Sequence, residues 1–303
     1  MLLGRLSEDA AMIFSDAGQL RIDDGLIERV DPIRARRGAA VAAVSLALWM
    51  STALLSGCAT DKVVGEAGRQ IRTESDQTDS DRRAKVRLEL AEGYFSRGQY
   101  NTALDEVKLA FAAKPDMIEG YNLRGLIYAA MGESALAEES FRRALAVNSR
   151  DADAMHNYGW FLCQQQRWKE ALTQFDLAIS LPQYRGVART LLAKGVCQAR
   201  AGLWLEAEGT LLRSFELEPS NPVVAVNLSE VLLRRGDLDR ARFYIRRVNS
   251  QPEQVGAQTL WLALRVERKL GNTQSVRELG DQLLQRFPQS LEARAFENGR
   301  FDE

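Results

Sequence analysis

The chain has 303 residues, of which 27% are charged, and its 40 Lys and Arg nearly balance 41 Asp and Glu, giving a formal net charge of −1. That length supports one large or two small domains with a full core, and the charge balance argues against nucleic acid as the main partner, which calls for a basic face. One His and three Cys leave almost no material for a metal cluster or for His-based catalysis.

Residues 1–33 are polar and acid-rich (Glu8, Asp9, Asp16, Asp23, Asp24, Glu28, Asp31), with no clear period. The character then changes. Arg34, Arg36 and Arg37 precede an uncharged apolar run, Gly38–Leu55. A positive segment followed by an apolar one is an export signal, here residues 34–57. Such a signal begins near its arginines. Residues 1–33 therefore read as sequence upstream of a true start near Val30, or as a disordered N-terminal extension. Peptides from Met1–Arg21 in the uncleaved precursor would decide for the extension.

The apolar run closes on Leu55, Ser56, Gly57 and Cys58. At this point the chain resembles bacterial lipoproteins, whose lipobox has Leu, two small residues and Cys. The resemblance implies that the Cys58 thiol receives a diacylglyceryl group, that the chain is cut before Cys58, and that the new amine is acylated. Small residues give the cut bond access to an active site at the membrane surface. Three acyl chains exceed the two signals that stable anchoring requires. The competing reading is an uncleaved membrane-spanning helix, for which about 20 apolar residues suffice. Ala59, not Asp, follows the Cys, and in the Gram-negative proteins of this class that implies the outer membrane, with the chain facing the periplasm. Residues 58–83 are the lipidated Cys and a tether. Thr60–Arg83 has too few apolar residues to fold alone.

From Ala84 the sequence repeats. Gly125 and Gly159, Ala137 and Ala171, Phe141 and Phe175, and Ala144 and Ala178 each stand 34 residues apart. Tyr121, Tyr128 and Gly132 belong to the same lattice. The small residue recurs at Ala103, Ala137, Ala171, Ala207 and Ala241, with one step lengthened to 36. A Gly five residues before that position falls at Gly98, Gly132, Gly202, Gly236 and, one repeat on, Gly271, while Gln166 breaks the pattern. Gly suits a helix end that needs a left-handed residue. Pro115, Pro219 and Pro288 mark the ends of second helices. Pro182, Gln183, Tyr184 and Arg185 fill the longer step as a turn. The period predicts an all-α, tetratricopeptide-repeat solenoid of six helix pairs. The pairs cover 84–117, 118–151, 152–184, 188–221, 222–255 and 257–290, with Val276 replacing the small residue of the last. Residues 291–303 are a tail or a short capping helix. No pair can bury its own apolar face, so neighbours must stack.

Little in this array points to catalysis. His156 lacks partners for a dyad or a zinc site. Gly residues occur singly, not in a phosphate-binding loop, and no carboxylate pair stands out. We therefore expect no enzyme, no cofactor, no metal and no small-molecule substrate. Cys163 and Cys197 lie on neighbouring first helices, again 34 residues apart. They form a disulfide if the compartment is oxidising and their Cα atoms approach within about 7 Å, or they are two buried free thiols. First helices of such arrays line a groove. Asn122, Leu126, His156, Asn157, Trp160, Leu192, Asn227, Trp261 and Arg265 are candidates to contact an extended peptide there, through amide hydrogen bonds and aromatic anchors. The alternative is that several of them, Trp160 and Trp261 above all, are packing residues.

The lipobox, the short polar tether and six repeats together look like the lipoproteins of type IV pilus biogenesis and stability, the pilotins of the pilus secretin. Two local strings strengthen the likeness: His156-Asn157-Tyr158-Gly159-Trp160-Phe161-Leu162-Cys163, and Trp261-Leu262-Ala263-Leu264-Arg265-Val266-Glu267. The resemblance covers Cys58 to about Ser290 and implies a protein that escorts the secretin to the outer membrane and supports its multimer there. The secretin subunit would be bound as an extended segment, and the membrane would be engaged through the acyl chains on Cys58. Two other readings share the same groove: a general periplasmic scaffold for envelope assembly, and a lipoprotein that helps to insert outer-membrane barrels.

Overall fold

A computed structural model describes residues 78–301. The export signal, the lipobox Leu55–Cys58, the N-terminal extension and nearly all of the tether lie outside the described residues. Within them the chain is helical throughout, without a strand.

Six helix pairs follow one another. They are α1 (Asp79–Phe95) with α2 (Tyr100–Ala113), α3 (Ile118–Ala130) with α4 (Ser134–Val147), and α5 (Ala152–Gln164) with α6 (Trp168–Ser180). Then come α7 (Val187–Arg200) with α8 (Trp204–Leu217), α9 (Pro222–Arg235) with α10 (Leu238–Asn249), and α11 (Ala257–Lys269) with α12 (Thr273–Arg286). A short helix, α13 (Leu291–Glu297), follows the last pair. The array is the tetratricopeptide-repeat solenoid that the period predicts.

The helix ends are written in the sequence. Thr78 opens α1 as a capping box, its hydroxyl 3.2 Å from the amide of Asp81, which places the start at Asp79, ahead of the expected Ala84. Asp151 caps α5 by accepting from the Ala154 amide at 2.8 Å, and Asn221 caps α9 with Pro222 in the first turn. These side chains satisfy amides that a helix start leaves without partners. At the other end, Gly98, Gly132, Gly202, Gly236 and Gly271 take φ between 70° and 80°. Gln166 occupies the same place in the third repeat with φ 59°, so it carries the strain that glycine avoids.

The recurring small residues set the distance within a pair. Ala103, Ala137, Ala171, Ala207 and Ala241 are fully buried. On the facing helix, Gly125 and Gly159 leave room for the rings of Phe141 and Phe175: a Cβ on either would lie 2.7 or 2.9 Å from the ring. Burying each of these phenylalanines contributes roughly 1.5–3 kcal/mol. The last pair departs from this plan. Val276 is half-buried, and Gly280 instead admits Phe296 from α13, which packs on α11 and α12 and closes the array.

Candidate partner-binding face

Each odd-numbered helix from α1 to α11 contacts its own second helix and the odd-numbered helices on either side. α5, α7, α9 and α11 are mostly buried, whereas α1 is buried only at Ala84, Leu88 and Ala91. This geometry decides what the predicted groove residues do.

Six of the nine are buried: Asn122, His156, Asn157, Leu192, Asn227 and Trp261. Each exposes 8% of its surface or less. Asn122, His156 and Asn157 join neighbouring repeats. The Asn157 amide donates to Asn122 Oδ1 at 3.1 Å, joining α3 to α5. His156 Nδ1 lies 2.9 Å from Thr190 Oγ1, joining α5 to α7. Asn227 turns inward and donates to the Val223 carbonyl of its own helix at 2.8 Å. Leu192 belongs to the core of the fourth and fifth repeats, and Trp261 stacks on Phe301 with ring centroids 5.6 Å apart.

The other three, Leu126, Trp160 and Arg265, are half-buried. Leu126 packs on the core shared by the second, third and fourth repeats, and Trp160 bridges that core and the next. The Arg200 guanidinium sits 6.0 Å from the Trp160 ring. Arg265 donates to Glu230 at 3.0 Å, tying α11 to α9. Arg234 Nε reaches the same carboxylate at 3.1 Å, so one buried acid serves two guanidiniums. Burial pushes the Glu230 carboxyl up and Arg265 pulls it down, with burial prevailing. Burial likewise lowers Arg200, and it lowers Arg234 together with the charge of Arg265.

Cys163 and Cys197 are joined as a disulfide that links α5 to α7, with Cα atoms 5.8 Å apart. A second link lies beside it. Tyr184, from the longer turn, places its hydroxyl 2.8 Å from Thr190 Oγ1, and Arg189 pairs with Asp153 at 2.6 Å. The two extra residues of the longer step thus lead into a node that also holds His156. Burial, and secondarily the charge of Arg189, drive the His156 ring well below its ordinary pKa, so it is neutral.

Of the predicted residues, Arg265 also lines a pocket at the end of the array. That pocket, of about 480 Å³, is lined by Leu233, Arg234, Arg265, Arg268, Lys269 and Phe301. Arg268 lies 4.0 Å above the Phe301 ring, a cation–π contact.

Comparison with known proteins follows the same lines. Residues 122–188 match the tetratricopeptide repeat family. The type IV pilus assembly protein PilF of Pseudomonas aeruginosa strain PAO1 is 27% identical over 244 residues, covering 80% of this chain and 93% of PilF. A crystal structure of PilW, described as a widely conserved type IV pilus biogenesis factor, superposes with a TM-score of 0.66 at 31% identity, covering 70% of this chain and 97% of PilW. The structure of Pseudomonas aeruginosa PilF gives 0.64 at 25% identity, covering 73% of this chain and all of that one. A scaffold of stacked helix pairs is the architecture of proteins that bind other proteins. Since the match to PilW extends along nearly its whole length, the chain belongs to the tetratricopeptide-repeat family of type IV pilus assembly proteins represented by PilW and PilF.

Proposed function

We propose that this protein is a pilotin: an outer-membrane lipoprotein, acylated on Cys58, that binds the secretin subunit of the type IV pilus through its first-helix face and promotes secretin localisation and multimerisation. The observation that carries the reading is the end-to-end coverage of PilW and PilF. A shared repeat fold alone would support only a generic scaffold. The Cys163–Cys197 bond is in keeping with an oxidising compartment such as the periplasm. The lipobox Leu55-Ser56-Gly57-Cys58 supplies the anchor.

The mechanism is one of concentration, not transformation. An acyl anchor confines the repeats to the membrane surface, and a polar tether lets them reach away from it. Tethering raises the effective concentration of the binding face by orders of magnitude, so modest intrinsic affinity suffices. Partner capture requires no catalytic group.

Replacing Cys58→Ala tests the anchor. The variant is expected to leave the outer-membrane fraction, to lower secretin multimers, and to keep the repeats folded by circular dichroism. Normal multimer levels in a delocalised variant would overturn the role of the anchor. A pull-down that returns other envelope assembly factors and no secretin would favour the general scaffold instead.

A further inference from the structure

A glycine inside a helix is destabilising unless a neighbour needs its space. Gly120, Gly125, Gly159, Gly195 and Gly280 each seat a side chain that a Cβ would meet within 3 Å. Gly209, midway along α8, is exposed, and nothing packs within 4 Å of where its Cβ would stand. Near it lie the two most exposed large apolar side chains among the described residues, Leu205 at 67% and Phe243 at 60%. Phe243 holds on α10 the place that Gly209 holds on α8: each follows the buried alanine of its repeat, Ala241 or Ala207, by two residues. The two helices lie side by side. Arg240 donates to Glu208 at 2.6 Å, and Phe215 meets Tyr244 with ring centroids 5.2 Å apart. Exposed charges flank the notch, with Glu206 three residues before Gly209 and Arg213 four after. The same order recurs on α10, where Asp239 stands four before Phe243 and Arg247 four after. Those two also have partners within the chain, Arg242 for Asp239 and the Phe215 ring for Arg247.

We propose that the outer face of α8 and α10 is a self-association surface, occupied by a second copy of this chain turned antiparallel about a two-fold axis at the level of Gly209 and Phe243. The charge order selects this occupant. In a two-fold contact, residue i meets j and j meets i. With α8 antiparallel to its copy, Glu206 meets Arg213 of the second copy and Arg213 meets Glu206, because the two stand almost equally far from Gly209. A parallel arrangement would set Glu206 against Glu206 and Arg213 against Arg213, which is repulsive. Gly209 lets the two α8 backbones approach closely. Phe243 stacks on its counterpart, and Leu205 is withdrawn from water. α8 has 14 residues and α10 has 12, so they are about 21 and 18 Å long. Two such helices packed about 8–10 Å apart cover roughly 400 Å² per copy, about half of a standard interface. The dimer is therefore weak and concentration-dependent. It uses second helices and leaves the first-helix face open, so the inference depends neither on the anchor nor on the secretin.

The test is sedimentation equilibrium of the purified full chain over roughly 10–500 μM, the range in which interfaces this small populate dimers. The chain is expected to pass from monomer to dimer and no further, since a two-fold contact closes. Glu206→Arg alone and Arg213→Glu alone should each weaken association about tenfold, because symmetry turns one reversal into two like-charge contacts. An equimolar mixture of these two variants should recover it, since each copy then carries the charges that the other lacks. Phe243→Ser should weaken association about tenfold. So should Gly209→Gln, which keeps a good helix former and fills the notch. Thr173→Gln, at the same place on α6, should leave association unchanged. The proposal is overturned if the chain stays monomeric throughout, if the mixture associates no better than either variant alone, or if Phe243→Ser associates as the wild type does. Oligomers that keep growing with concentration would also overturn it, as the mark of an open head-to-tail contact. Should Gly209→Gln unfold, the mixing experiment still decides. A monomeric chain that still supports secretin multimers in cells would sink this face and leave the pilotin reading standing.

Discussion

His156 Nδ1 lies 2.9 Å from Thr190 Oγ1, deep between α5 and α7. The only histidine of the chain is thus a joint between repeats. Its folded pKa is driven well below 6.5 by burial and then by Arg189. The neutral ring is favoured in the fold, while the unfolded chain protonates near the ordinary value of about 6.5. The stability that the buried neutral ring contributes is fully present above that pH and is lost as pH falls below it, at up to about 1.4 kcal/mol per pH unit. Urea melts between pH 7 and 5 should show this loss, and His156→Gln should flatten the slope. An equal slope in the variant would place the titrating group elsewhere.

Reduction should have a separate effect. The Cys163–Cys197 bond closes a loop with a sequence separation of 34 and staples α5 to α7. Adding reductant is expected to lower unfolding stability by about 2–4 kcal/mol. The joint replacement Cys163→Ala with Cys197→Ala should reproduce that loss and abolish the response to reductant. A wild-type melt indifferent to reductant after complete thiol exposure would contradict the staple.

Two glycine substitutions should move stability in opposite directions. A Cβ on Gly159 meets the Phe175 ring at 2.9 Å and the Ala171 carbonyl at 3.2 Å, and backbone cannot step aside. Gly159→Ala is expected to cost about 1–3 kcal/mol by overpacking. Gly209, on the exposed side of α8, has nothing within 4 Å of the same position. Gly209→Ala should therefore gain about 0.5–1 kcal/mol from lost chain entropy. Chemical denaturation of both variants checks the contrast. A neutral Gly159→Ala would mean that the pair spacing is not set there.

Gln166 offers the converse change. It holds φ 59° where five other repeats have Gly. Gln166→Gly should stabilise the third repeat by about 1 kcal/mol. Any loss on this substitution would show that the side chain contributes more than its strained backbone costs.

Much of the fold was legible in the sequence. Ala137 and Ala171, Phe141 and Phe175, and the glycines after the first helices carried the pair spacing and the helix ends, because each fills a role that few residues can fill. The tail's packing was less legible. Nothing near Gly280 announces that its missing side chain seats Phe296, sixteen residues further on. The face was read only in part. Asn122, His156 and Asn157 have the polar character of groove residues, yet the same hydrogen-bonding groups serve equally to join repeats. Which use prevails depends on how closely the neighbouring first helices approach, and a residue's type does not encode that distance.

The central claim is that this chain supports assembly of the pilus secretin. Its most direct test is the oligomeric state of the secretin in envelopes from a strain lacking this protein, read by immunoblot and compared with the complemented strain. The account predicts secretin recovered as monomer without surface pili, with multimers and pili restored on complementation. Full multimer levels and normal pili in the deletion strain would contradict it.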